Sequence, residues 1–169
     1  MKSKALVALS FCAIFGVTGC YSLDTGVVER DESGQVTAPA EFDAMNIGVG
    51  DCANYPKEQE KASEEESYSF SEITVLPCSS EHDLEAYATT DLPDGDFPGD
   101  SEIVALAEEF CYNEFPGFIG TEYEESSLYF ESFTPTKASW AFDGDREILC
   151  LVSGDEGELL TGSMKGSGR

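Results

Sequence analysis

Basic residues are scarce in this chain: nine Lys and Arg stand against 34 Asp and Glu, for a formal charge of −25. A field of that sign repels nucleic acid, anionic lipid and anionic wall polymers, so DNA and RNA are excluded as partners. It favours solubility, cations and basic surfaces. The chain has one histidine, no Cys-x-x-Cys pair and no Gly-x-Ser-x-Gly turn. These absences argue against a structural zinc centre and a serine-hydrolase nucleophile. No cofactor is implied, and no catalytic residue stands out. The prominent apolar run, Ala5 to Val17, is shorter than the roughly 20 residues that span a bilayer.

That run follows Lys2 and Lys4 and leads into Val17-Thr18-Gly19-Cys20. A basic head, a short apolar stretch and small residues at the junction describe a secretory leader rather than a fold element. The ending resembles the lipobox of bacterial lipoproteins, in which the cysteine thiol takes a diacylglyceryl group and becomes the first mature residue. The expectation is a lipoprotein signal peptide over 1–19, lipidation at Cys20, and membrane retention at the outer face of the cytoplasmic membrane. An ordinary secretory leader with an incidental Cys20 is the alternative. Without Lys2 and Lys4 the mature chain keeps seven bases against 34 acids.

Of six cysteines, Cys12 lies in the leader and Cys20 at its end, which leaves Cys52, Cys78, Cys111 and Cys150. Four cysteines in an exported domain read as two disulfides with three possible connectivities. Pairing Cys52 with Cys78 and Cys111 with Cys150 closes the shortest loops and joins neighbouring elements. In the chain-entropy model each bridge contributes roughly 3–4 kcal/mol.

Tyr21 to Ala44 is polar and acidic, with scattered apolar residues, so 20–44 reads as a disordered tether from lipidated Cys20. Pro56 to Ser69, with Lys57-Glu58-Gln59-Glu60-Lys61 and Glu64-Glu65-Glu66, reads as a solvated acidic loop. Met45 to Val49, Phe70 to Leu76 and Leu84 to Thr89 are expected strands, the last with period-two alternation. Leu92 to Gly99 has two prolines and two glycines and is a loop. Ser101 to Phe115 is the expected helix: Ile103, Ala107, Phe110 and Cys111 share one face, Asp100 caps it and Pro116-Gly117 stops it. Leu128 to Phe133, Ala138 to Phe142, Arg146 to Val152 and Glu158 to Leu160 follow as strands, with Asp143-Gly144 as a hairpin turn. The fold class is α+β: a small antiparallel sheet with one main helix and two disulfides, preceded by a signal peptide and a flexible tether.

Gly50-Asp51-Cys52, Val75-Leu76-Pro77-Cys78, His82 to Tyr87, Leu92-Pro93-Asp94-Gly95 with Phe97-Pro98-Gly99, and the Cys111 helix occur in that order. Trp140, Gly144-Asp145-Arg146, Cys150 and Leu160-Thr161-Gly162-Ser163 complete the series. Together they resemble the septum formation-related domain of actinobacterial envelope proteins. The resemblance covers 45–166 and leaves 167–169 as a tail. It implies an exported, membrane-tethered domain in cell division or envelope biology, and it brings no catalytic residues. The segment between the first two cysteines is longer than the family pattern leads one to expect.

His82 is flanked by Glu81, Asp83 and Glu85. An acid–base role needs an imidazole held by a carboxylate, which Asp83 could supply. Adjacent residues point apart, however, so turn-organising hydrogen bonds by His82 and Asp83 are the preferred reading. Asp91, Asp94, Asp96 and Asp100 could begin a calcium shell, but turn chemistry accounts for them and no metal is expected. Trp140 and Arg146 flank Asp143-Gly144. A tryptophan there is usually core; exposed, it would be a recognition site for peptide or glycan. Tyr112, Phe115, Phe118, Tyr123, Tyr129 and Phe130 add aromatic surface, and a contiguous exposed patch among them would mark a partner site.

Three function classes follow. The preferred one is a non-catalytic lipid-anchored module that binds an envelope or division protein or a wall component, with Trp140, Arg146, His82 and Asp83 as candidate binding residues. The second is an extracytoplasmic hydrolase centred on His82. The third is a structural envelope protein with no specific ligand. The anchor has its own test: Cys20→Ser should release the protein into the medium, and a variant that still partitions into detergent like the parent would refute lipidation.

Overall fold

The computed structural model describes residues 28–56, 72–155 and 157–169. Among them the chain forms β1 (Ala40–Asp43), β2 (Cys52–Asn54), β3 (Glu72–Leu76), β4 (Glu81–His82) and β5 (Leu84–Asp91). Then come α1 (Asp100–Ile119), β6 (Tyr129–Phe133), α2 (Lys137–Phe142), β7 (Glu147–Ser153) and β8 (Leu160–Thr161). Six strands make one sheet in the order β1-β3-β2-β5-β7-β6, and every pairing is antiparallel. The short strands β4 and β8 pair separately. No described helix is long and apolar enough to cross a membrane. Cys20 and the leader lie outside the described residues, as does most of the acidic loop from Pro56 to Ser69.

The sheet is covered on both faces, and the sequence of β7 shows why. Ile148, Cys150 and Val152 join α1 in one cluster with Tyr87, Ala107, Cys111 and Phe115. Leu149 and Leu151, which point the other way, join Ile73, Val75, Leu84 and Ala86 in the second. A strand buried on both faces reads as a continuous apolar run. In β5 the register shifts between Ala86 and Ala88. This bulge places Tyr87 and Ala88 both on the α1 side, while Leu84 and Ala86 stay on the other. Tyr87 then donates a 2.6 Å hydrogen bond to the Cys111 carbonyl.

Both expected disulfides form. Cys52–Cys78 spans 5.2 Å between Cα atoms, and Cys111–Cys150 spans 5.4 Å and ties α1 to β7. Ala88 stands opposite Cys150 in β5 and leaves room for the bridge.

Several local expectations are corrected. The strand placed at Met45–Val49 lies earlier, at Ala40–Asp43, within the stretch read as tether. Asp43 then accepts the Met45 N–H and caps a 3₁₀ turn over Ala44–Asn46, which brings Ile47 into the core. Arg30, also in that stretch, makes a two-pronged ion pair with buried Asp51 at 2.5 and 2.8 Å. The helix has Gly99 rather than Asp100 as its cap residue and runs through Pro116 to Ile119. An internal proline costs about 3 kcal/mol, but burying Phe118 and Ile119 returns about 1.5–3 kcal/mol each. Gly120, at φ 91°, ends the helix with its N–H on the Pro116 carbonyl.

Ala138–Phe142 is helix α2 rather than a strand. Thr136 accepts the Ser139 N–H, and the Ser139 hydroxyl accepts the Thr136 N–H, a reciprocal cap that nucleates the turn. Asp143-Gly144 ends this helix instead of turning a hairpin: Gly144 sits at φ 71°, and the Asp143 and Asp145 N–H groups return to the Ser139 carbonyl. The last strand is Leu160–Thr161, displaced from the expected Glu158–Leu160 because Leu160 pairs with His82.

Burial, with smaller effects from Tyr123 and Glu114, raises the Tyr87 hydroxyl above its ordinary range. The neutral form stabilises the fold fully below the unfolded tyrosine value near pH 10, and that contribution is lost as pH rises beyond it. Tyr55, raised by burial and its bond to Glu131, acts in the same direction. Tyr87→Phe should lower stability at neutral pH by about 1 kcal/mol and lessen the fall in melting temperature above about pH 10. An equally steep alkaline fall in the variant would assign it elsewhere.

Candidate functional site

His82 is fully buried at the β4–β8 pair. Its Nδ1 lies 2.9 Å from the Ser80 carbonyl, which can only accept, so Nδ1 carries the proton. Nε2 is buried without a hydrogen-bond partner. Asp83 points elsewhere: its carboxylate accepts the Tyr55 N–H at 3.0 Å, while its own N–H meets Asn54 and Ala53. The two side chains point apart, as their adjacency implied: His82 holds the turn after Cys78, whereas Asp83 reaches the end of β2 instead of that turn.

Sequence reasoning passed over the more telling neighbour, Glu85. It is buried, and its two carboxyl oxygens accept the Ser163 hydroxyl and the Met164 N–H, each at 2.5 Å. Donor atoms of Cys52, His82 and Glu85 lie within 4.8 Å of one another. The donor set does not suit a metal ion, because the Cys52 sulfur is bonded to Cys78 and offers no thiolate. The arrangement instead latches the C-terminal segment over β5. The four candidate calcium carboxylates do not gather into such a group: Asp91 ends β5, Asp94 and Asp96 lie in the loop, and Asp100 opens α1.

Trp140 is buried. Its Nε1–H donates to the Gly95 carbonyl at 3.0 Å, the Phe97 ring meets its edge at 5.7 Å, and the Arg146 guanidinium stacks 3.7 Å above the indole. Arg146 also donates to the Trp140 and Asp145 carbonyls and lies 3.4 Å from the Asp94 carboxylate. Trp140 and Arg146 thus fasten the loop at 92–99 onto α2, with the indole N–H already used inside the chain.

The aromatic set divides differently. Phe115 and Phe118 are buried, and Tyr129 is 49% exposed on the opposite side of β6 from Phe130. Tyr112, Tyr123 and Phe130 come together with Glu108, Glu109 and Asn113 around an open groove of about 490 Å³. Glu108 and Tyr112, and likewise Glu109 and Asn113, stand four residues apart and so share a face of α1. Tyr123 lies in a 3₁₀ turn over Tyr123–Glu125. Its ring meets Tyr112 edge-on at 5.9 Å, Phe115 at 5.1 Å and Phe130 at 4.8 Å. The floor is held firm by the core beneath it. The Tyr112 hydroxyl donates to Glu124, which keeps the Glu124 carboxyl below its usual range and raises the Tyr112 hydroxyl.

The sequence profile of a protein family described as "Septum formation" matches residues 49–167. The match takes in both disulfides, α1, the groove and the Glu85 latch, while Arg30 and β1 precede it. No curated protein and no solved structure matches the chain.

Removing the Glu85 carboxyl would leave the buried Met164 N–H without its acceptor. Glu85→Ala should therefore cost about 2–3 kcal/mol and speed amide exchange at Met164 more than in β7. Slow exchange retained at Met164 would show that Glu85 does not hold the C-terminal segment.

Proposed function

This chain belongs to the septum formation family, and from that premise we propose that it is a non-catalytic binding module. It is tethered through Cys20 to the outer face of the cytoplasmic membrane and meets an envelope or division partner there. The family assignment gives a role in cell division or the envelope. The observation that carries the binding reading is the groove at Tyr112, Tyr123 and Phe130, an aromatic surface left open on a braced core. Aromatic side chains held rigidly at a surface bind with little loss of conformational entropy, which suits them to recognition.

The hydrolase alternative needs His82 in a concave site with a second polar group in reach of its free nitrogen. Against it stand the full burial of His82, the commitment of Nδ1 to Ser80 and the engagement of the Glu85 carboxyl by Ser163 and Met164. The absence of a nearby nucleophile motif weighs the same way.

Crosslinking and pull-down from intact cells with the Cys20-anchored protein tests the proposal. A specific envelope or division partner should be recovered. His82→Ala, which removes a buried side chain at a cost of about 2–4 kcal/mol, should retain that partner in proportion to the folded protein. A well-folded His82→Ala protein that has lost its cellular function would overturn the non-catalytic reading, and an empty catch would favour a structural role.

A further inference from the structure

We infer that the groove between α1 and β6 receives lysine or arginine side chains from a basic segment of a protein partner, an inference that rests on the binding-module reading and deepens it. The floor is aromatic, with Tyr123 and Phe130 half-buried over Phe115. The walls are acidic: Glu108 and Glu109 line the groove, and Tyr112 holds Glu124 beside it. Ring faces attract organic cations through their quadrupole, and carboxylates attract them through charge and hydrogen bonds. Acting together, they select an ammonium or guanidinium head carried on an apolar stem, which describes Lys and Arg. A small hydrated cation would gain nothing from the rings. An anionic polymer would meet only repulsion.

The surroundings reinforce that choice. No lysine or arginine occurs between Lys61 and Lys137, a stretch that contains α1, the Tyr123 turn and β6. Among the described basic residues, Arg30, Arg146 and Arg169 form ion pairs with Asp51, Asp94 and Glu158, and none lines the groove. The cation must therefore come from outside the described chain. The field of a protein with 34 acidic residues steers basic partners toward it over longer range. At about 490 Å³ the groove falls within the usual size of a ligand site and exceeds what a single ammonium head would fill. A peptide segment suits it better than a lone amine.

Fluorescence anisotropy of the full-length chain in detergent, with a labelled peptide of alternating arginine and glycine, tests the inference. The same peptide with uncharged citrulline at each arginine serves as control. The arginine peptide should bind at least about tenfold more tightly, with affinity falling as salt rises. Glu108→Gln with Glu109→Gln, both exposed positions, should reduce binding about tenfold without disturbing the fold. Tyr123→Ala should do the same, with circular dichroism checking that it remains folded. Unchanged affinity in the glutamine double variant would mean that bulk charge elsewhere binds the peptide, and would overturn the inference. A photo-crosslinking residue at Asn113 in living cells separates this inference from the broader reading. Crosslinks to a basic protein segment support both. Crosslinks only to a segment without lysine or arginine, or to wall polymer, overturn the cationic ligand and leave the binding module standing. No crosslink at all overturns both.

Discussion

The bond between Cys111 and Cys150 is the constraint on which the rest of the molecule depends. It joins the midpoint of α1 to the centre of β7, the strand buried on both faces. Once that point is fixed, the helix can lie over β5, β6 and β7 in only a narrow range of positions. Tyr87 reinforces it from the neighbouring strand by reaching the Cys111 carbonyl across the β5 bulge. Phe115 then falls one helical turn beyond Cys111, under Tyr123 and Phe130. The groove is thus a consequence of the bridge: its floor consists of rings that the bridged helix cannot help bringing together.

The second disulfide works with buried polar groups rather than with rings. Cys52–Cys78 closes the ends of β2 and β3, beside His82 and Glu85. Buried polar atoms destabilise a fold unless they are satisfied, and here they are spent on pinning chain ends. Glu85 takes the Ser163 hydroxyl and the Met164 N–H, while Asp51 takes Arg30 from the N-terminal side. Both ends of the described domain are therefore tied by carboxylates that would be costly to bury alone. His82 Nδ1 meets the Ser80 carbonyl in the same way, so the polar cluster holds together segments that are distant in the chain.

Charge separates into two uses. The few arginines are consumed inside the fold or at its edges, by Asp51, by Trp140 with Asp94, and by Glu158. The carboxylates on α1 and the following turn face solvent with no basic residue nearby in sequence. An excess of one sign favours solubility, and at α1 these carboxylates border the aromatic floor of the groove.

Much of the framework was legible in the sequence because it is local or because chain topology leaves few choices. The disulfide pairing, the helix face through Ile103, Ala107 and Cys111, and the apolar run of β7 all follow from spacing. The misreadings have physical causes. Ala138–Phe142 looked like a strand because its aromatic and small residues suit either state, and the Thr136–Ser139 cap decided for helix. Pro116 looked like a stop because the burial of Phe118 and Ile119 is set by the sheet, not by the helix. Arg30 looked like tether because its partner Asp51 lies 21 residues away. By itself, the sequence determined the acidic character, the cysteine framework, the α+β class and the family. Only the tertiary structure decided that Trp140 is inside, that Glu85 is a latch, and that Tyr112, Tyr123 and Phe130 share one groove. Those outcomes depend on contacts between elements distant in the chain, and no local pattern encodes which side chains such contacts leave open to solvent.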